Sequence, residues 1–222
     1  MTMQIKDSFY HSDSKHMEEE LLSMCADLQF DAVKATKLAK YVELNQELPD
    51  PEYPSSRTSF LAVARFHANI EMVRILLQCG ADPNFILYAD KPLHRETPFW
   101  DLQYNDYGES EEENEVGLQM AQLMLDYGAD PNIDLDDGDL FSYVCSAIFN
   151  DDDEIGLLRY RSRFFILLVA YGGKSKNCQP DILKPFDKSN MAQYQFRFVP
   201  CGDGYHLTGE IVDGNFEVVA KI

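Results

Sequence analysis

The run Asp134-Leu135-Asp136-Asp137-Gly138-Asp139 puts four carboxylates into six residues, dense enough to hold a hard cation. An EF-hand loop needs its glycine at position six and oxygen ligands at one, three and five. Setting Gly138 at six puts Ile133 at one and Leu135 at three, so the spacing fails and the run reads as an acidic loop. The histidines His11, His16, His67, His94 and His206 form neither H-x-x-x-H nor H-E-x-x-H. Cys25, Cys79, Cys145, Cys178 and Cys201 include no C-x-x-C pair, and the first three lie on apolar helical stretches as small reduced core residues. Zinc spacing is therefore missing, as are G-x-S-x-G, P-loop and dinucleotide fingerprints. These residues give no catalytic, cofactor-binding or metal-ligating assignment, and the expectation is a chain without enzymatic activity.

What remains is the chemistry of an interface. Acidic runs occupy Asn105–Glu115, Asp134–Asp139 and Asn150–Glu154, and aromatic side chains stand beside them. Aromatic residues commonly anchor interfaces, with charges as the rim. The candidate partner-binding residues are Trp100, Tyr104, Asp106, Tyr107, Glu109, Glu111, Glu112, Glu113, Asp134, Asp136, Asp137, Asp139 and Tyr143. The plainer alternatives are that Trp100 is a packing residue and that the carboxylates are a solvated face.

The formal net charge is −19, from 38 acidic and 19 basic residues. That balance speaks against nucleic acid and anionic membrane surfaces, both of which need basic protein surface. It favours a basic protein partner, or it serves solubility alone. The sequence offers neither an apolar run of about 18 residues nor an apolar signal segment near Met1. A cytoplasmic protein, monomeric when free, is expected.

Two helical runs end in the same turn: Leu76-Leu77-Gln78-Cys79-Gly80-Ala81-Asp82-Pro83-Asn84 and Met124-Leu125-Asp126-Tyr127-Gly128-Ala129-Asp130-Pro131-Asn132. A third copy, Phe164 to Gly173, keeps the helix and its glycine. Glycine suits a left-handed C-cap, and Asp-Pro-Asn forbids helix continuation. Thr97-Pro98-Phe99-Trp100 and Ser59-Phe60-Leu61-Ala62-Val63-Ala64 are similar to the T-P-L-H-x-A start of a known repeat. These segments resemble the ankyrin repeat. Gly80 and Gly128 stand 48 residues apart and Gly128 and Gly172 stand 44 apart. The family period is about 33, and the acidic runs supply most of the excess as inserts.

The resemblance implies an all-α ankyrin-repeat solenoid of about four repeats with its first helices and finger loops lining a concave binding surface, where it places Trp100, Tyr104, Tyr107 and Tyr143. The expected layout is a polar lead-in over 1–17 and repeats over 18–176. Those repeats are an N-terminal capping pair at 18–50, then 57–84, 97–132 and 137–175, the last two carrying acidic inserts. Residues 177–222 change character. Tyr194–Val199, Tyr205–Val212 and Phe216–Ile222 alternate or run apolar between Gly-Asp and Asp-Gly turns, which predicts a small C-terminal antiparallel β-meander. The function expected is protein binding, in the manner of small stand-alone bacterial ankyrin proteins that act as immunity-type inhibitors of a basic toxin or nuclease. The alternatives are a generic adaptor or an enzyme with its site in the C-terminal region.

Overall fold

The computed structural model describes residues 4–51, 53, 55–91, 94–104, 111–135, 138–149, 155–173, 178–182, 194–201 and 204–211; for 4–13, 111, 113, 145–149, 155–159, 162 and the last three stretches it gives the backbone alone. The protein is mostly helical, with small sheets. Helices α1 (Gln4–Ala26) and α2 (Ala32–Ala39) pair, as do α3 (Phe60–Phe66) with α4 (Ile70–Gln78). A 3-10 turn (Trp100–Tyr104) precedes α5 (Glu111–Asp126), and α6 (Leu140–Phe149) pairs with α7 (Ile155–Ala170). Corresponding helices lie side by side: α1 against α3, α2 against α4, α4 against α5 and α5 against α7.

Helix α1 begins at Gln4, not near Glu18, so most of the expected polar lead-in is helical. No glycine or proline interrupts Gln4–Ala26. Once the buried Leu21 and Cys25 dock their turns, extending the helix backwards adds one hydrogen bond per residue fixed. Polar side chains cap the shorter helices. Asp31 accepts from the Val33 and Lys34 N–H groups, Ser59 from Ala62 and Asn69 from Met72.

The three glycine turns are one structure repeated. Gly80, Gly128 and Gly172 have φ of 99°, 93° and 88°, the left-handed region that glycine enters without Cβ strain. Ala81 donates to the Leu76 carbonyl at 2.9 Å, Ala129 to Met124 at 2.9 Å and Gly173 to Leu168 at 2.8 Å, each closing a Schellman cap. A Cβ on Gly173 would lie 2.8 Å from Phe141 Cδ2, which is why the third turn departs from Gly-Ala.

Asparagines then tie turn to turn. Asn45 Nδ2 donates to the Gly80 carbonyl at 3.2 Å and its Oδ1 accepts from Asp82 N–H at 2.8 Å. Asn84 does the same to Gly128 (2.9 Å) and Asp130 (2.8 Å), and Asn132 Nδ2 reaches the Gly172 carbonyl at 3.4 Å. Glu43-Leu44-Asn45 thus takes the part of Asp-Pro-Asn, with Glu43 accepting from Asn45 N–H as Asp82 accepts from Asn84.

Short hairpins project between the helix pairs: β1 (Leu48–Pro49) with β2 (Arg57–Thr58), the bridge Leu87–Glu96, and β3 (Asp134–Leu135) with β4 (Gly138–Asp139). One hydrophobic cluster extends from Leu21 to Val169, its largest fully buried members including Tyr160, Phe60, Phe99, Phe141, Phe164 and Phe165.

The C-terminal sheet differs from a meander. Strands β6 (Tyr194–Cys201) and β7 (Gly204–Ile211) form the expected hairpin, closing on Cys201 opposite Gly204. The third strand is β5 (Cys178–Ile182), which pairs parallel to β7, giving the order β5-β7-β6; Phe216–Ile222 lies outside the described residues. Because β6 turns straight back into β7, the free edge of β7 is open to a strand that enters before the hairpin. Pro180 cannot donate to a ladder, and it sits in an edge strand where that loss is tolerated. Strand β5 lies against α6.

Candidate protein-interaction surface

Trp100 is fixed from behind. Its N–H donates to Thr97 Oγ1 at 3.0 Å, and Thr97 is itself fully buried. The indole is only 4% exposed, so Trp100 is a packing residue whose face meets Tyr143 of α6 at 5.9 Å between ring centroids. Tyr104, 45% exposed, stands edge-on to the same Tyr143 at 6.4 Å. The three rings form a cluster with one buried member, one half-buried and one open to solvent. Burial pushes the Tyr104 hydroxyl up to about 12, with Tyr143 adding to the shift.

Carboxylates around these rings are partly committed to the fold. Asp139 caps α6, accepting from Ser142 N–H at 2.7 Å and from the Ser142 hydroxyl at 2.9 Å. Asp101 receives Arg65 Nη2 at 3.1 Å, an almost buried ion pair joining α3 to the 3-10 turn. Glu115 meets Arg163 of α7 at 2.8 Å. Arg57 pairs with Glu47 and, at 2.9 Å, with Asp90, and its backbone N–H donates to the Tyr88 hydroxyl at 2.7 Å. The cations of the folded helices are therefore largely answered internally, whereas Glu112 and Asp134 are exposed. Among the described residues no three His, Cys, Asp or Glu side chains group as metal ligands would.

The family model of the ankyrin repeat matches residues 60–86. This segment is an ankyrin repeat. It covers α3, the tight turn His67-Ala68-Asn69, α4 and the Gly80 cap. None of the curated proteins matches the chain. Ankyrin repeats generally mediate protein–protein interaction and are typically non-enzymatic.

Seen from the ankyrin repeat, the candidate residues divide. Tyr104, Tyr143, Glu112 and Asp134 keep some or all of their surface. Trp100 and Asp139 are held by packing and capping. Glu111 and Glu113 lie in the first turn of α5 and only their backbone is described; Asp106, Tyr107, Glu109, Asp136 and Asp137 lie outside the described residues. The end of the expected insert, Glu111–Glu115, is helix and not loop. Carboxylates suit that position because they face the positive end of the helix dipole. Sequence reasoning passed over Arg65 and Asn69. The signal for Arg65 was a single charge inside the apolar run Phe60–Phe66. Asn69 caps α4 and also donates to the Asp27 carbonyl at 2.9 Å, which no local pattern announces.

Proposed function

We propose that this chain is a non-enzymatic protein-binding solenoid of about four ankyrin repeats, and that its acidic, aromatic-edged surface receives a basic protein. The observation that carries this reading is the pairing of Tyr104 and Tyr143, which keeps aromatic surface open to solvent in a chain of net charge −19. The acidic β3–β4 hairpin runs directly into α6, which presents Tyr143 to Tyr104. Aromatic side chains bury area at low entropic cost, and surrounding carboxylates steer a cationic partner. The net charge of −19 supports the same sign of partner and disfavours nucleic acid and anionic membrane. Among the described residues no helix is long and apolar enough to cross a membrane. In this reading the free protein is a cytoplasmic monomer, residues 177–222 shield the last helix pair, and the biological role is an immunity-type inhibitor that covers a basic toxin or nuclease.

The test is recovery of the partner from the native cell on the tagged full chain, followed by kinetics with the purified pair. The expected partner carries net positive charge, and its association rate falls at least about tenfold as salt rises from 0.1 M to 1 M, where the Debye length shrinks from about 10 Å to about 3 Å. Its activity should be suppressed in the complex. An acidic partner, or a rate indifferent to salt, would overturn the electrostatic reading; a basic partner that stays active would leave binding in place and remove inhibition.

A further inference from the structure

A second surface carries the opposite chemistry. Between Asp31 and Tyr41 the chain holds Lys34, Lys37 and Lys40 against one aspartate, inside a molecule of net charge −19. Lys34 pairs with Glu20, and Asp31 is spent on the α2 cap. Among the described residues, Lys37 and Lys40 take part in no ion pair and no aromatic contact. Both line one groove of about 620 Å³ between α2 and α4, whose walls include Val33, Tyr41, Glu71 and Ile75. Glu71 faces Arg74 at 3.5 Å, so the groove's unanswered charge is positive.

Apolar surface accompanies that charge. Val33 is 81% exposed and Tyr41 68%. Val33 and Lys37 stand four residues apart on one face of α2, and Lys40 and Tyr41 follow directly after its last turn. Lysines near the end of α2 complement its dipole, which explains their place in the sequence. It does not explain why a valine and a tyrosine stay open beside them, since an unengaged solvent face is normally polar.

We infer that the α2–α4 groove docks a short acidic segment of a second protein partner, with an apolar side chain lying among Val33, Tyr41 and Ile75 and its carboxylates meeting Lys37 and Lys40. Charge complementarity selects this occupant. A basic segment would face two unpaired lysines, and a purely apolar one would leave them unanswered. This site is separate from the Tyr104–Tyr143 surface and stands whether or not that surface binds a basic protein.

The test uses a phage-displayed library of random 12-residue peptides, selected on the full chain and counter-selected on K37E/K40E. Clones that survive should carry two or more acidic residues around an apolar or aromatic one. The synthetic peptide of the leading clone should bind K37E/K40E at least tenfold more weakly in fluorescence anisotropy and bind K37R/K40R within threefold of the parent. Thermal melting of both variants checks that they fold; if K37E/K40E does not, selection and binding are repeated with K37S/K40S. Survivors without acidic residues, no survivors, or equal binding to both variants would overturn the proposal. So would sedimentation equilibrium showing a dimer that K37E/K40E dissolves, since the groove would then belong to a second copy of this chain.

Discussion

Asn84 makes two hydrogen bonds to the next turn, donating to the Gly128 carbonyl at 2.9 Å and accepting from Asp130 N–H at 2.8 Å. Asn45 and Asn132 repeat the contact on either side. A net worth of about 1 kcal/mol per bond makes Asn84→Ala destabilising by about 1–2 kcal/mol. For a chain of this size the melting temperature should fall roughly 2–8 °C, measurable by circular dichroism. Tyr104 gives a pH signature. Its hydroxyl, at 10.0 when unperturbed, is pushed up to about 12 by burial and Tyr143, so the folded state favours the neutral form. That contribution is fully present below pH 10 and is lost as pH rises from 10 towards 12. Tyr171, raised by burial and by its bond to Asp126, acts in the same direction. Urea midpoints at pH 9, 10 and 11 should therefore decline, and Tyr104→Phe should flatten the decline.

Helix α5 changes what its glutamates are expected to do. Read as a loop insert, Glu111–Glu115 would contribute little to stability. In the fold these residues open a 16-residue helix, and Glu115 bonds Arg163 at 2.8 Å. The half-exposed ion pair is worth less than about 1 kcal/mol, and favourable dipole placement adds about 0.3–1 kcal/mol. The double variant E112S/E115S should thus lose about 1 kcal/mol in chemical denaturation, more than two ordinary surface changes. It should also slow association with a basic partner.

At the scale of the molecule, one apolar cluster runs through the helix pairs, and β5 lies against α6 at its C-terminal end. A terminal unit without a cover exposes an apolar face. Removing residues 177–222 should lower the melting temperature by several degrees and produce concentration-dependent association in light scattering, because a change of about 1 kcal/mol shifts melting by roughly 2–4 °C. A truncated chain that stays monomeric and melts like the parent would make the sheet an independent appendage.

The glycine-capped turns, the helix pairs before them and the β6–β7 hairpin could be read from sequence because each is dictated by neighbours in the chain: glycine at positive φ, proline stopping a helix, apolar spacing at 3.6 or 2. The ankyrin repeat at 60–86 follows from the same local chemistry. What distant partners decide was hidden. Glu43-Leu44-Asn45 does not look like Asp-Pro-Asn, and its role appears only where Asn45 meets Gly80 and Asp82. Pro180 disguises β5 as a loop until β7 offers it an edge. Trp100, Asp139 and Glu115 carry the residue types of an interface, but Tyr143, Ser142 and Arg163 determine how much of each remains for a partner. Composition fixed the net charge, whereas the pairing of side chains across helices determined that Lys37 and Lys40 would be left without a counter-charge, because an ion pair depends on separation in space and not along the chain.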